Sequence, residues 1–378
     1  MSDLTPLQTL RRALHRIPEL GFEEHATRAL LVDTLEGLGS QSRLAETGLM
    51  VDFGPPDAPK TLMLRADMDG LPIQEESERD YASIHAGRMH ACGHDAHMAA
   101  LAGAAPFIAE AMPPDLRVRL LFQPAEEGLG GAAKAIAEGA LEGVDAAFGI
   151  HVWNELPLGS VAVTPGGIMA GVVEVRFKLR GRGGHGALPD RARDPLVAGA
   201  QLVMALQTVA SRFTSPFEPV VVTIGAFQAG DAFNVIPESA ELVGTVRTFS
   251  TQMEARVESL LAEIARGVAA ASGVAIDMTW HRYAGPTVND AGLATKVAEI
   301  AAKVPGIDHV LRDYRTMAGE DFGDILERVP GVFVLLGSAP ADGSHAEPHH
   351  SPRFDIEEGV LPLARDLHVA VVRGLALP

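Results

Sequence analysis

The sequence predicts an α/β protein: a mixed, mostly parallel sheet flanked by helices, interrupted by an inserted α+β domain of βαββαβ order. Three observations predict this. Between residues 60 and 152, short apolar runs that read as buried strands alternate with helix-spaced segments, which implies a mostly parallel sheet covered on both faces. From about Val172 to Tyr283 the rhythm changes to strand, helix, two strands, helix, strand, the split βαβ order of a ferredoxin-like sandwich. The chain has 378 residues, and single cores rarely grow past roughly 250 to 300. Two domains are therefore expected, one of residues 1–171 and 285–378 and one of 172–284.

In order, Thr5 to Ile17 and Glu23 to Gly37 carry helix-spaced apolar residues, joined by Pro18-Glu19-Leu20-Gly21. Lys60 to Asp67 reads as a buried strand because Thr61-Leu62-Met63-Leu64 is a short apolar run ending in polar residues. The Ala-rich run His97 to Met112 is a helix. Leu116 to Phe122 is a strand leading into Gln123-Pro124-Ala125-Glu126-Glu127-Gly128. A helix at Ala132 to Ala140 precedes a strand at Ala146 to Val152, which ends about His151. Three strand ends thus bring Asp67 and Asp69, Glu126 and Glu127, and His151 to one sheet edge, where open α/β sheets place chemistry. In the insert, strands at Val172 to Leu179, Val220 to Phe227, Ala240 to Thr248 and Ala275 to Tyr283 enclose helices at Pro195 to Arg212 and Gln252 to Ala271. Helices at Ala291 to Lys303 and Gly359 to Leu375, with a strand at Gly331 to Gly337, complete the first domain.

Hydrophobic residues make up 47% of the chain and charged residues 21%, an ordinary globular composition. The net charge of −18 argues against nucleic acid or an anionic membrane as partner, since both need clustered Lys and Arg. No apolar run reaches the ~18 residues that cross a bilayer, and residues 1–20 lack a basic start before a hydrophobic block. A cytoplasmic location is expected. A lone cysteine excludes an intrachain disulfide framework, in keeping with a reducing compartment.

That cysteine lies in Met89-His90-Ala91-Cys92-Gly93-His94-Asp95-Ala96-His97, a dense patch of metal-ligand types just before a helix, where unpaired N–H groups favour the thiolate. Alone, Cys92 would read as apolar packing; its neighbours reverse that. Glu126 and Glu127 follow a buried strand, and adjacent side chains there diverge. One can ligate a metal while the other moves protons. His151 at a strand end and His345, His349 and His350 near the C-terminus add imidazoles. Thiolate, imidazole and carboxylate together suit Zn²⁺, Mn²⁺, Co²⁺ or Ni²⁺, and the donor count is enough for two ions. Gly181-Arg182-Gly183-Gly184-His185-Gly186 is too glycine-rich for regular structure. It offers His185 as a donor to a developing oxyanion.

With these residues assembled, the chain resembles the M20 family of metal-dependent amidohydrolases nearly end to end. Within that family it is similar to the branch of hippurate hydrolases, N-acyl-amino-acid amidohydrolases and auxin-conjugate hydrolases. The anchors are Leu64 to Pro72, Met89 to His97, Phe122 to Gly128, Gly149 to Val152, Gly184 to Pro189, Asn234-Val235-Ile236-Pro237, Met317 to Phe322 and His350 to Phe354. The resemblance implies a zinc-exopeptidase-like fold in which Cys92, His94, Glu127, His151 and His350 ligate two divalent metal ions, with Cys92 bridging and His349 in reserve for the last place. It implies that Glu126 is general base and then acid, that Asp69 supports the ligands, and that His185 and Asn234 contact substrate or oxyanion. Where the wider family has a metal-binding histidine and a bridging aspartate, this chain has Asp67 and Cys92, an exchange shared by the branch. The expected reaction is hydrolysis of an N-acyl amino acid to a carboxylic acid and a free amino acid. The alternatives are a dedicated N-acetyl-diaminopimelate-type deacetylase or dipeptidase and, in another class, a noncatalytic metal-binding protein. The resemblance is compatible with a homodimer or homotetramer through the inserted domain.

Overall fold

The computed structural model describes residues 5–340, 346–375 and 377. The chain divides into two compact units, one of residues 1–168, 288–315 and 321–378, the other of residues 169–287 and 316–320.

The larger unit is built on an eight-stranded sheet. Its order is Ser40–Leu44, Gly48–Phe53, Leu116–Gln123, Lys60–Asp67, Ala146–Pro157, Gly331–Ala339, Ser160–Ala162 and His309–Leu311. The four central strands run parallel, and Ser40–Leu44 and Gly48–Phe53 add an antiparallel edge. The central strands are buried along almost their whole length, as sheets covered on both faces must be. Their side chains alternate between two layers. Leu62, Leu64, Val332, Val334 and Leu336 join a core with Met98, Leu101 and Ile108 of the helix His94–Ala111 and Leu367 and Val371 of Val360–Gly374. Phe333 turns to the other face, where its ring lies 5.0 Å from that of Phe322.

Asp67 is level with Gln123 in the parallel ladder, so these two strands release their chains at the same edge. Several boundaries differ from expectation. The helix after the cysteine patch begins at His94, not His97. The strand expected to end near His151 continues to Pro157, which makes His151 a mid-strand residue. The edge hairpin at residues 40–53 was not anticipated, because Ser40-Gln41-Ser42-Arg43 is polar and mostly exposed.

The smaller unit has an antiparallel sheet in the order Val220–Ala229, Ser239–Thr248, Gly171–Arg180, Ala275–Ala284. The helices Pro195–Leu206 and Thr251–Ser272 bury Leu202, Leu206, Val257 and Leu261 against Val175, Phe177, Leu179 and Leu242. The first helix passes into a π-helical turn, Val209–Phe213. The combined segment Pro195–Phe213 is, by length and composition, long and apolar enough to cross a membrane. This corrects the expectation that no segment of that length is present. The glycine-rich segment is also partly ordered, since Gly184–His185 pairs with Val235–Ile236 as a two-residue antiparallel ladder. Leu196, Val197, Met204, Phe213 and Phe217 are exposed, Met204 by 73% and Phe217 by 91%.

Candidate metal centre

The site begins at the turn after Gln123. Ala125 adopts a left-handed conformation, φ 55°, which costs a non-glycine residue roughly 1–2 kcal/mol. Its N–H donates to Glu24 Oε1 at 2.9 Å, and the other oxygen of Glu24 accepts from Thr47 Oγ1. Burial pushes the Glu24 carboxyl up to about 6, against the pull of these hydrogen bonds. Asp69 then holds the next two residues. Its Oδ1 accepts the Glu126 N–H and its Oδ2 the Glu127 N–H, both at 3.0 Å. One carboxylate therefore fixes the backbone of both glutamates.

The backbone carbonyl of Asp69 also accepts His94 Nδ1–H at 2.8 Å. In the neutral ring that bond keeps the proton on Nδ1, so that Nε2 is the nitrogen available to a cation that displaces the second proton. Nε2 is buried and makes no hydrogen bond; it lies 3.8 Å from Asp67 Oδ2 and 3.9 Å from Glu126 Oε2. Burial pulls the His94 imidazolium down. Asp67 foremost, then Asp69 and Glu127, more than offset this and raise it to about 10. So much negative charge around a buried, unpartnered imidazole nitrogen is an environment for a cation.

Gly93 turns the chain between Cys92 and His94 with φ 98°, and a Cβ there would come within 2.4 Å of Val152 Cγ2. Only glycine meets both conditions. Cys92 Sγ is buried 3.4 Å from His151 Nε2. Ligand atoms of Cys92, His94 and His151 lie within 4.8 Å of one another, and so do those of Cys92, Glu127 and His350. Cys92 belongs to both groups. His350 Nε2 lies 3.1 Å from Glu127 Oε1. The backbone of His350 is itself left-handed, φ 66°, and its N–H donates to the Ala91 carbonyl at 2.8 Å. The buried orphan nitrogen of His94 and these two sulfur, nitrogen and oxygen donor groups fit divalent metal ions.

Other histidines of the sequence patch separate from this centre. His97 Nδ1–H donates to Asp67 Oδ1 at 2.6 Å while its Nε2 accepts the Val152 N–H at 2.8 Å, so neither nitrogen is free to ligate. Asp67 is also paired with Arg65 at 2.6 Å, and Arg65 reaches Gln123 and Asp321. His90 is buried with neither ring nitrogen hydrogen-bonded, and burial pushes it down to about 4. His349 Nε2–H donates to the Val152 carbonyl at 3.0 Å, while the neighbouring His350 meets Glu127. His345 lies outside the described residues.

In the smaller unit His185 and Asn234 are neighbours, Gly186 N–H donating to the Asn234 carbonyl at 2.8 Å. Both residues are exposed. Ala187 N–H donates to His185 Nδ1 at 3.1 Å, which leaves the proton of the neutral ring on Nε2, pointing away from this turn. Sequence reasoning missed Arg65, Glu24, His97 as a bridge, and the peptide of Val152. A peptide group carries no sequence signature, and Arg65 was hidden inside an apparent strand.

Residues 63–373 match the family model Peptidase family M20/M25/M40. The chain is 39% identical over 355 residues to N-acetyl-L-cysteine deacetylase of Bacillus subtilis, covering 92% of this chain and 83% of the relative. It is 40% identical over 365 residues to N-acetyldiaminopimelate deacetylase of Streptococcus suis, covering 94% and 95%. An IAA-amino acid hydrolase of Arabidopsis thaliana is 39% identical, with 96% of this chain and 83% of the relative covered. Among solved structures, a dinuclear metal-binding peptidase of the M20 family from Bacillus subtilis superimposes with a TM-score of 0.84 at 32% identity, covering 97% of this chain and 96% of that one. A family match across most of the chain, the shared fold and these relatives make the protein a member of the M20/M25/M40 peptidase family, and an amide-bond hydrolase.

Proposed function

We propose that this protein hydrolyses the amide bond of N-acyl amino acids, a reaction for which Cys92, His94, Glu127, His151 and His350 would hold two divalent metal ions, Cys92 belonging to both donor groups. The observation that carries the reading is the pair of adjacent glutamates clamped by one aspartate. Glu127 joins the Cys92 and His350 donors, while the neighbouring Glu126 is held at the same place with a carboxylate for proton transfer. Bound divalent ions would acidify water and polarise the amide carbonyl. Glu126 takes the proton of the attacking water on its carboxylate and later gives it to the departing amine nitrogen, so that one group serves as base and then acid. For His185 and Asn234 of the smaller unit the reading keeps the roles that the family resemblance implies, oxyanion donor and substrate contact.

Two of these relatives are, by name, deacetylases of N-acetylated amino acids and the third an IAA-amino acid hydrolase, which supports this substrate class. The streptococcal relative supports a second reading, a dedicated deacetylase of N-acetyldiaminopimelate. Reloading the protein separately with Zn²⁺, Mn²⁺, Co²⁺ and Ni²⁺ and profiling acetyl, benzoyl and long-chain acyl amino acids by mass spectrometry separates the two. Cleavage across several amino acids supports the first; cleavage of the diaminopimelate conjugate alone supports the second. Glu126→Gln should keep its metal and lose about 10²- to 10⁴-fold in turnover. Near-full activity in that variant would refute Glu126 as base; no hydrolysis by the metal-loaded wild type anywhere in the panel would favour a noncatalytic metal protein.

The exposed apolar residues of the segment 195–217 bear on assembly. A helix apolar on all sides is normally covered on all sides. The reading therefore includes a homodimer through this face of the smaller unit; the expected cytoplasmic location stays part of the proposal.

A further inference from the structure

We propose that His349 is a positioning residue, which holds the ring of His151 in its metal-facing tautomer through the one carbonyl that both histidines share. The inference rests on the reading of His151 as a metal ligand.

The strand Ala146–Pro157 pairs with Lys60–Asp67 only as far as Gly149 opposite Arg65. Beyond that point it overruns its neighbour, and the peptide groups of Val152 need other partners. Imidazoles supply them. His97 Nε2 accepts the Val152 N–H at 2.8 Å. The Val152 carbonyl lies 2.6 Å from His151 Nδ1 and 3.0 Å from His349 Nε2. A carbonyl oxygen only accepts, so both imidazoles donate to it and fill its two lone pairs. With its proton committed to Nδ1, His151 presents Nε2 as a bare donor 3.4 Å from Cys92 Sγ.

His349 is placed so that it does not itself ligate through Nε2. Its ring stacks on Trp153 with centroids 4.6 Å apart and planes at 25°. It also lies 4.9 Å from Phe354 and 5.3 Å from His151. Stacked on the indole and bonded to the carbonyl, it pins the Val152–Trp153 peptide, while His97 pins the preceding His151–Val152 peptide through its N–H. His151 then has one ring orientation available. Outer hydrogen-bond partners of this kind are typically worth 10- to 100-fold in metal affinity.

The test compares His349→Phe, which keeps an aromatic ring for Trp153 but removes the N–H, with His349→Gln, whose amide can donate from a similar position. Zn²⁺ and Co²⁺ affinities are measured by competition with a chromophoric chelator, and metal content by elemental analysis. His151→Ala is included to check the ligand assignment. The expected result is unchanged metal content at saturation for His349→Phe, with about 10- to 100-fold weaker binding and an altered Co²⁺ absorption spectrum. His349→Gln should recover most of the affinity. Equal loss in the Phe and Gln variants would overturn the proposal, because it would show that the N–H does nothing. Loss of one metal equivalent in His349→Phe would overturn it too, by making His349 a ligand. If His151→Ala left metal content and affinity unchanged, the ligand reading itself would fall.

Discussion

Asp69 makes three ties with one residue: two carboxylate oxygens to successive backbone N–H groups and a backbone carbonyl to His94. Asp69→Asn keeps the size but has one amide oxygen for two donors, so one glutamate N–H loses its acceptor. Turnover should fall about 10- to 100-fold, read as a drop in kcat at saturating metal; an unchanged kcat would show that the clamp is not needed. Cys92→Ser should lower metal content and activity together, whereas a cysteine that merely packs would leave elemental analysis unaltered. Glu24 gives a pH signature. Its folded carboxyl sits at about 6, above the ordinary value of 4.5. As pH rises from 4.5 through 6, the unfolded chain releases this proton before the folded one does, and stability falls by about 2 kcal/mol. Glu24→Gln removes that dependence. Urea midpoints of variant relative to wild type should therefore rise across this window, and a flat difference would contradict the prediction. At this scale the sequence reveals donor types but not their partners. His94 and His97 look alike in the patch, and only the bonds from His97 to Asp67 and Val152 tell them apart.

Among the elements, the turn at Gly93 and the overrunning strand Ala146–Pro157 do most to shape the centre. Gly93→Ala must place a methyl group where Val152 stands, in a backbone conformation that L-residues resist. Metal binding should weaken at least tenfold (about 1.4 kcal/mol) with the fold retained, measured by chelator competition and circular dichroism. Wild-type affinity in that variant would mean the turn relaxes freely. Helix-spaced segments and apolar strands were legible because burial imposes period and composition on them. The strand Lys60–Asp67 was anticipated at both ends. The continuation to Pro157 was not, since Trp153-Asn154-Glu155 breaks the apolar run that marks a buried strand. The edge hairpin escaped for the same reason, having few side chains to bury.

For the whole molecule, the alternation of strands and helices predicted the layered sheet, and the change of rhythm predicted a second βαββαβ sheet. What that second unit does was less legible. Its exposed apolar helix is a claim about assembly rather than about its own stability. Met204→Glu combined with Phe217→Asp should convert a dimer to a monomer in analytical ultracentrifugation with secondary structure intact. A wild-type monomer at micromolar concentration would exclude this interface. The final consequence concerns the order in which the protein is made. Cys92, His94, Glu127 and His151 are supplied by the first half of the chain, but His350, whose N–H is tied to the Ala91 carbonyl, comes only after the entire inserted unit. During synthesis the early donors must wait, incomplete, while more than half of the chain emerges from the ribosome. On the proposed ligand set, capture of the full complement of metal waits until His350 has been made, and a chain that stops before residue 350 leaves Cys92, His94, Glu127 and His151 with no final imidazole to close the site.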